Sequence, residues 1–196
     1  YHRATLNPAL RYRIHGQRGE ELYLAFCLYG LRGRTNCILA NLSDGEMEFD
    51  DNGRFELVLS TERPDGVGNW MQLDNIARTL VTRQYFTDIR QKPAELNIEL
   101  LDEIAPPPAP TVERVTHRLR ALSQSVSRTF KSTQLASEAW MKKPNTVGIN
   151  STVEGLNSLF PSPDYEYVGG WYKLEEDEAL VMEGSAPECR YWSVQL

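Results

Sequence analysis

The chain lacks the cysteines of a disulfide framework. Cys27, Cys37 and Cys189 are its only cysteines among 196 residues, an odd number without paired spacing. This set indicates reduced thiols and favours a cytoplasmic location. A removed signal peptide would leave no trace, so a periplasmic or secreted protein stays an alternative. An oxidising compartment would allow Cys27 and Cys37 to pair on neighbouring strands, but a buried thiol is the more common role.

Motifs of the common metal and nucleotide sites are missing as well. His2, His15 and His117 show neither an HxH nor an HExxH spacing, so no metal site is predicted. The sequence contains no GxSxG elbow, no P-loop and no GxGxxG fingerprint. We therefore predict no cofactor. The catalytic residues are unknown, and whether the protein is an enzyme stays open.

Positive charge and long apolar runs are scarce. The chain has 21 basic and 27 acidic residues, a net charge of −6 and a pI near 5.2. An acidic surface argues against nucleic acid and against anionic lipid. The longest apolar stretch, LYLAFCLYGL, is far shorter than the roughly 20 residues of a membrane span. We predict neither a nucleic-acid partner nor a membrane partner.

Residues 10–104 instead carry a succession of short strand patterns. LRYRIHG alternates, with Arg11, Arg13 and His15 on the face expected to meet solvent, and ELYLAFCLYG is apolar enough for burial on both faces. CILANL, GEMEFD, RFELVLS, RTLVTRQYF and AELNIELL follow. The Asn-Gly of DDNGR predicts a type I′ hairpin. Residues 1–104 are therefore predicted as the first half of an antiparallel, jelly-roll-like β-sandwich.

A proline-rich linker at 105–110 separates these strands from a helical pattern at 111–143. Thr111 is the predicted N-cap, and Pro144 ends the pattern. We predict that this amphipathic helix lies with its apolar stripe on the sheet, although calmodulin-type and membrane-surface helices show the same pattern. The stripe consists of residues in steps of three and four: Val112, Val115, Leu119, Leu122, Val126 and Phe130.

Strand patterns return after the helix, so residues 144–196 are predicted as a second β half. YEYVGGWYKL and ALVMEG are predicted strands, and VEGLNSLF is a predicted short helix. Residues 189–196 are predicted as a closing strand that pairs with ALVMEG. Its Trp192, Val194 and Leu196 are expected to face the core.

Two segments of the chain match each other at a constant offset. RIHGQRGEELYLAFCL and VMEGSAPECRYWSVQL share four identities: Gly16 with Gly184, Glu20 with Glu188, Tyr23 with Tyr191, and Leu28 with Leu196. The match predicts an internal duplication of one hairpin, with the glycine in its turn. The first copy continues through AELNIELL, so duplication predicts further strands after Leu196 and a truncated second half.

The chain resembles the bacterial domain of unknown function 1214, which is often found with domain 1254. The matching segments are YRIHGQRGEELYLAF, RFELVLSTERPDGVGNWMQLDNIARTLVTRQYF, PAELNIELL and ALVMEGSAPECRYWSVQL. GNW at 68–70 and RQYF at 83–86 are the most specific elements, and residues 106–164 the least. The resemblance implies a β-sandwich and a second NW-type segment after YWSVQL, which this chain does not contain. It implies no particular activity.

The strongest candidate for a ligand site is the loop 63–78 with the strand that follows it. A tryptophan among charged residues on a long loop suits a cleft that stacks a sugar ring or another flat apolar group. Alternatively, Trp70 anchors the loop and Asn69 satisfies turn backbone groups. The candidate ligand-binding residues are Arg63, Asn69, Trp70, Asp74, Arg78, Arg83 and Tyr85.

Three functional hypotheses follow. The first is an enzyme that acts on a small molecule or a carbohydrate in a cleft near the 63–78 loop. The second is a ligand-binding module without catalysis. The third is an assembly protein that forms homo-oligomers through a sheet edge or through helix residues 111–131.

Overall fold

The computed structural model describes residues 2–33, 35–105, 108–149 and 163–195. The fold is mainly β, as predicted, with ten strands and one long helix among these residues. The residues divide into two compact units: a sheet unit of Tyr1–Ile104 with Ser185–Leu196, and a helix unit of Ala105–Gly184. The strands of the sheet unit are β1 His2–Thr5, β2 Tyr12–Gln17, β3 Tyr23–Arg32, β4 Thr35–Ser43, β5 Arg54–Ser60, β6 Asn69–Gln72, β7 Ala77–Tyr85 and β8 Glu95–Leu100.

Two four-stranded sheets form the sheet unit. Sheet A has the order β1-β7-β3-β4, and sheet B has the order β6-β5-β2-β8. Neighbouring strands are antiparallel except for β5 and β6, which are parallel. Arg13 and His15 therefore lie on an inner strand, because β2 has a neighbour on each side.

Apolar side chains of both sheets pack into one core. The ring centroids of Phe26 in β3 and Phe55 in β5 are 5.7 Å apart, so the contact joins sheet A to sheet B. Leu24, Leu28, Leu57 and other buried apolar residues surround this pair. Two sheets packed face to face over a shared apolar layer form a sandwich.

Strand β3 is buried from Tyr23 to Leu28, as its apolar sequence predicted. The register of β3 and β4 determines whether Cys27 and Cys37 face each other. Cys27 lies opposite Asn41, whereas Cys37 lies opposite Gly30. The Cys27 thiol donates to Asn41 Oδ1 at 3.0 Å, and both cysteines are free. A Cys27–Cys37 disulfide is therefore not formed.

Three local predictions in the sheet unit were wrong. GEMEFD is not a strand but a turn followed by irregular chain. The DDNGR turn has a positive φ at Gly53 (74°) but not at Asn52, so it is not type I′. The 63–78 segment is not all loop, because Asn69–Gln72 forms β6. Strand β1 was not predicted.

The first copy of the internal match is not a hairpin. Its two strands belong to different sheets, β2 to sheet B and β3 to sheet A. Gly16 lies within β2 and not in the turn. A Cβ at this position would overlap the Glu95 carbonyl of β8, so the close approach of two backbones requires glycine.

In the helix unit, α1 spans Val112–Met141, two residues short of the predicted end. The Thr111 hydroxyl accepts a hydrogen bond from Arg114 N at 3.3 Å, which confirms the predicted N-cap. Strands β9 Thr146–Ile149 and β10 Val168–Trp171 pair antiparallel. The predicted helix VEGLNSLF lies outside the described residues.

The predicted strands near the C-terminus are absent. Neither ALVMEG nor residues 189–195 form a strand in the described part of the chain. Trp192 is 57% exposed and Val194 is 58% exposed, so these side chains do not face a core. Leu196 lies outside the described residues. A strand needs a hydrogen-bonded neighbour, and alternation alone did not provide one.

Candidate functional site

Asn69, at the start of β6, is buried and makes three hydrogen bonds to backbone groups. Its Nδ2 donates to the carbonyls of Glu48 at 2.9 Å and Glu56 at 3.0 Å. Its Oδ1 accepts from Glu48 N at 2.8 Å. The amide therefore ties the irregular 44–50 segment to β5, which is a structural role.

Trp70 is half-buried, and its indole nitrogen is also bonded within the chain. Nε1 donates to Ser60 Oγ at 2.9 Å, and Ser60 Oγ donates to the Glu62 carbonyl at 2.6 Å. This relay connects β6 to the end of β5 and to the beginning of the loop. The contact agrees with the interpretation that Trp70 anchors the loop.

The charged side chains of the loop bond to nearby backbone. Arg63 donates to the carbonyls of Val67 and Gly68 at 2.9 and 2.8 Å. Asp74 Oδ1 accepts from Ile76 N at 3.1 Å. The remaining arginine, Arg78, donates to the carbonyls of Asn75 and Ala77. These three side chains shape the two ends of the loop.

Arg83 and Tyr85 lie in β7 and so belong to sheet A, whereas Asn69 and Trp70 belong to sheet B. Arg83 is buried and donates to the Tyr29 hydroxyl at 2.8 Å. Burial raises the pKa of Tyr29, and the hydrogen bond from Arg83 acts in the opposite direction. The seven predicted residues are thus divided between two sheets and the connecting loop.

Tyr85 contacts residues from two distant parts of the chain. Its ring is stacked on Tyr191, with centroids 4.8 Å apart and planes 9° apart. It also contacts Tyr23, with centroids 5.7 Å apart. The internal match aligns Tyr23 with Tyr191, and both members of that pair contact the same ring. This is the only sequence signal that pointed to the contact.

A buried ion cluster, which was not predicted from the sequence, lies beside these rings. The carboxylate of Asp44 is 1% exposed and accepts from Arg18 at 2.8 Å. Arg190 makes two further bonds to the same carboxylate, both at 2.7 Å. These bonds raise the pKa of Arg190 above its already high value. The cluster therefore fixes the C-terminal segment to the sheet unit.

The third candidate surface is the apolar stripe of α1. All six of its residues are exposed, and no residue of the helix is buried. Within the helix unit, the two-stranded sheet of β9 and β10 does not bury the stripe. Amphipathicity shows which face is apolar but not what covers it. No helix among the described residues is both long and apolar enough to span a membrane.

Metal-ligating side chains do not gather in the described part of the chain. No group of three or more His, Cys, Asp or Glu side chains there is placed to hold an ion. The acidic residues of the ion cluster are instead bound by arginines.

Comparisons with known proteins inform the fold more than the chemistry. No protein-family model matches the chain, and no curated protein matches it. A crystal structure of an uncharacterized protein from Burkholderia cenocepacia is similar over 83% of this chain, with a TM-score of 0.70 and 26% identity. The chain spans 45% of the length of that protein.

Proposed function

We propose that the protein is an assembly module that pairs with a second copy of itself through the apolar stripe of α1. One observation carries the proposal. The helix has 30 residues, none of them buried, and its six stripe side chains are 45–78% exposed. Helices gain most of their stability by packing an apolar face, and contiguous exposed apolar patches mark interaction surfaces.

The spacing of the stripe suits packing of one helix against another. Steps of three and four from Val112 to Val126 match the a and d positions of a heptad. The stripe extends over about 28 Å at 1.5 Å per residue.

Charge along the seam favours a second copy as the occupant. Four positions flank the stripe between Val112 and Val126, and Arg118 is the only charged residue among them; the others are Thr116, Ser123 and Ser125. The other basic residues of the helix occupy heptad positions b, c and f, away from the seam. Two identical helices therefore meet without rows of like charge.

The test is the molar mass in solution, measured by light scattering after size exclusion. We expect a dimer as the concentration rises from about 1 to about 100 μM, the range that brackets a micromolar dissociation constant. Leu122→Asp should leave a monomer, because it places a charge in the seam. Gln124→Asp introduces the same side chain on the outer face of the helix and should leave the dimer intact.

Two results would contradict the proposal. One is a monomeric wild-type chain at the highest concentration. The other is a dimer that survives Leu122→Asp, which would place the interface elsewhere, for example at a sheet edge. Circular dichroism of each variant shows whether helix content is unchanged.

Other predictions accompany this proposal. Membership of the domain 1214 family and a bacterial origin stay predictions from the sequence. A cytoplasmic location is supported by the three free cysteines. The jelly-roll topology and the internal duplication stay predictions. So does a small-molecule or carbohydrate site at the 63–78 loop, whose polar side chains bond largely within the chain.

A further inference from the structure

The ion cluster of the sheet unit has a deficit of positive charge until Arg190 joins it. Asp44 and Glu21 supply two carboxylates, with side chains 1% and 0% exposed. Arg18 lies against both, at 2.8 Å from Asp44 and 3.5 Å from Glu21. One guanidinium between two buried carboxylates leaves a net charge of −1, and burial of a charge is costly unless it is paired. The site therefore favours a second cation.

Arg190 supplies that cation with a geometry suited to recognition. Its two terminal nitrogens bond to the two oxygens of Asp44 at 2.7 Å each. The guanidinium also lies over the Tyr23 ring, 5.6 Å from the centroid. Paired bonds to a carboxylate and an aromatic face are both features that distinguish arginine from lysine. The next residue, Tyr191, adds its stacked contact with Tyr85.

The segment is held by side chains rather than by a strand ladder. Within the described chain, the backbone hydrogen bond made by residues 189–192 runs from Cys189 N to Pro187 O, which is local. The Arg190 side chain is 47% exposed. Side-chain contacts of this kind, without a backbone ladder, allow one segment to be replaced by another of the same chemistry.

We infer that Asp44, Tyr23 and Tyr85 form a receptor site for a peptide that carries an arginine followed by an aromatic residue. In the isolated chain, Arg190 and Tyr191 fill this site. A peptide with the same two side chains competes for it in trans. The inference concerns the sheet unit and is independent of pairing through α1.

The test uses a fluorescent peptide with the sequence of residues 187–194, in which serine replaces Cys189. The full chain with Arg190→Ala and Tyr191→Ala should bind this peptide saturably, as measured by anisotropy. The wild-type chain should bind at least about tenfold more weakly, because its own segment competes at a high effective concentration. A control peptide with alanine in place of the arginine should also lose at least about tenfold, or 1.4 kcal/mol.

Absence of saturable binding by the folded double variant would overturn the inference. Equal affinity of the wild-type chain and the double variant would overturn it too, because the peptide would then bind at another site. A second measurement needs no variant. Excess unlabelled peptide should shift the amide NMR signals of residues 189–192 in the isotope-labelled wild-type chain, whereas the alanine peptide should not. Unchanged signals with both peptides count against the receptor site.

Discussion

The sheet unit and the helix unit differ in what covers their apolar side chains. In the sheet unit, Phe26 and Leu28 of β3 pack with Leu57 of β5 in a shared core. In the helix unit, α1 leaves every described residue at least partly exposed. All the buried apolar residues of the described chain lie between Leu6 and Ala94. The sheet unit therefore contains its own core, whereas the helix unit has an apolar face without one.

The comparison shows the limit of an amphipathic pattern. Strand β5 and helix α1 both display a clear period in their sequences, yet only one apolar face is covered. The period follows from backbone geometry, which sets the face on which side chains lie. What covers that face depends on other segments or on another chain. The difference can be tested by matched substitutions in the two units.

The largest difference between the two units is expected when one leucine in each is replaced by alanine. Leu57→Ala removes a fully buried side chain and should lower the free energy of unfolding by about 2–5 kcal/mol. Leu122 is 61% exposed, so Leu122→Ala should change it by less than about 0.5 kcal/mol in dilute solution. Urea unfolding followed by circular dichroism measures both. Equal losses at a concentration where the chain is monomeric would show that α1 is already covered.

The two matched glycines provide the second test. A Cβ at Gly16 would overlap the backbone of Glu95, whereas a Cβ at Gly184 would meet open space. Gly16→Ala should therefore cost about 3 kcal/mol, the upper end for overpacking, because two paired strands must separate. Gly184→Ala should be nearly neutral. Thermal unfolding of both variants gives the comparison, and a similar loss at both sites would mean that the two copies share one conformation.

Asn69 is expected to have the next largest effect. Asn69→Ala removes three partly buried hydrogen bonds to backbone groups of Glu48 and Glu56 and should cost about 2 kcal/mol. Gln72→Ala is the matched control, since Gln72 lies in the same strand, is exposed and makes one longer bond of 3.3 Å to the Thr61 carbonyl. Chemical unfolding should give a lower free energy of unfolding for Asn69→Ala than for Gln72→Ala. If both are neutral, the 44–50 segment is not fixed by this amide.

The strands of the sheet unit were largely predictable because the segments with buried side chains are also the ones whose backbone is paired in a sheet. β3 combines an apolar sequence with hydrogen-bonded neighbours on both sides. In GEMEFD, side-chain burial occurs without backbone pairing. Met47 is buried and Phe49 packs edge-on against Phe55 at 5.6 Å, but the backbone there is irregular. The prediction of a strand was wrong although these side chains pack inward, because burial does not require a paired strand.

The candidate site was predicted less well than the fold. Arg83 and Tyr85 were named from the sequence, but Asp44 and Arg190 were not. The contact between the latter two spans 146 positions, and no local pattern encodes a pairing of that range. The match of Tyr23 with Tyr191 was the one available clue. It was interpreted as a repeated hairpin, whereas the structure shows two different conformations around one shared ring.

The smallest effect is expected on the outer face of β2, where Glu99 of β8 binds Arg13 and His15. Hydrogen bonds from Arg13 and from His15 lower the pKa of Glu99 below its ordinary value. The folded state therefore gains stability from the ionised carboxylate at neutral pH and loses it as the pH falls through the lowered pKa. Glu99→Gln should reduce the melting temperature slightly at pH 7 and not at all below that pKa. The group is exposed, so the difference should be small and should shrink further in high salt. Glu95→Gln, on the same strand, is the control. If the melting temperatures of wild type and Glu99→Gln differ by the same amount at all pH values, the ionised carboxylate is not the source of the difference.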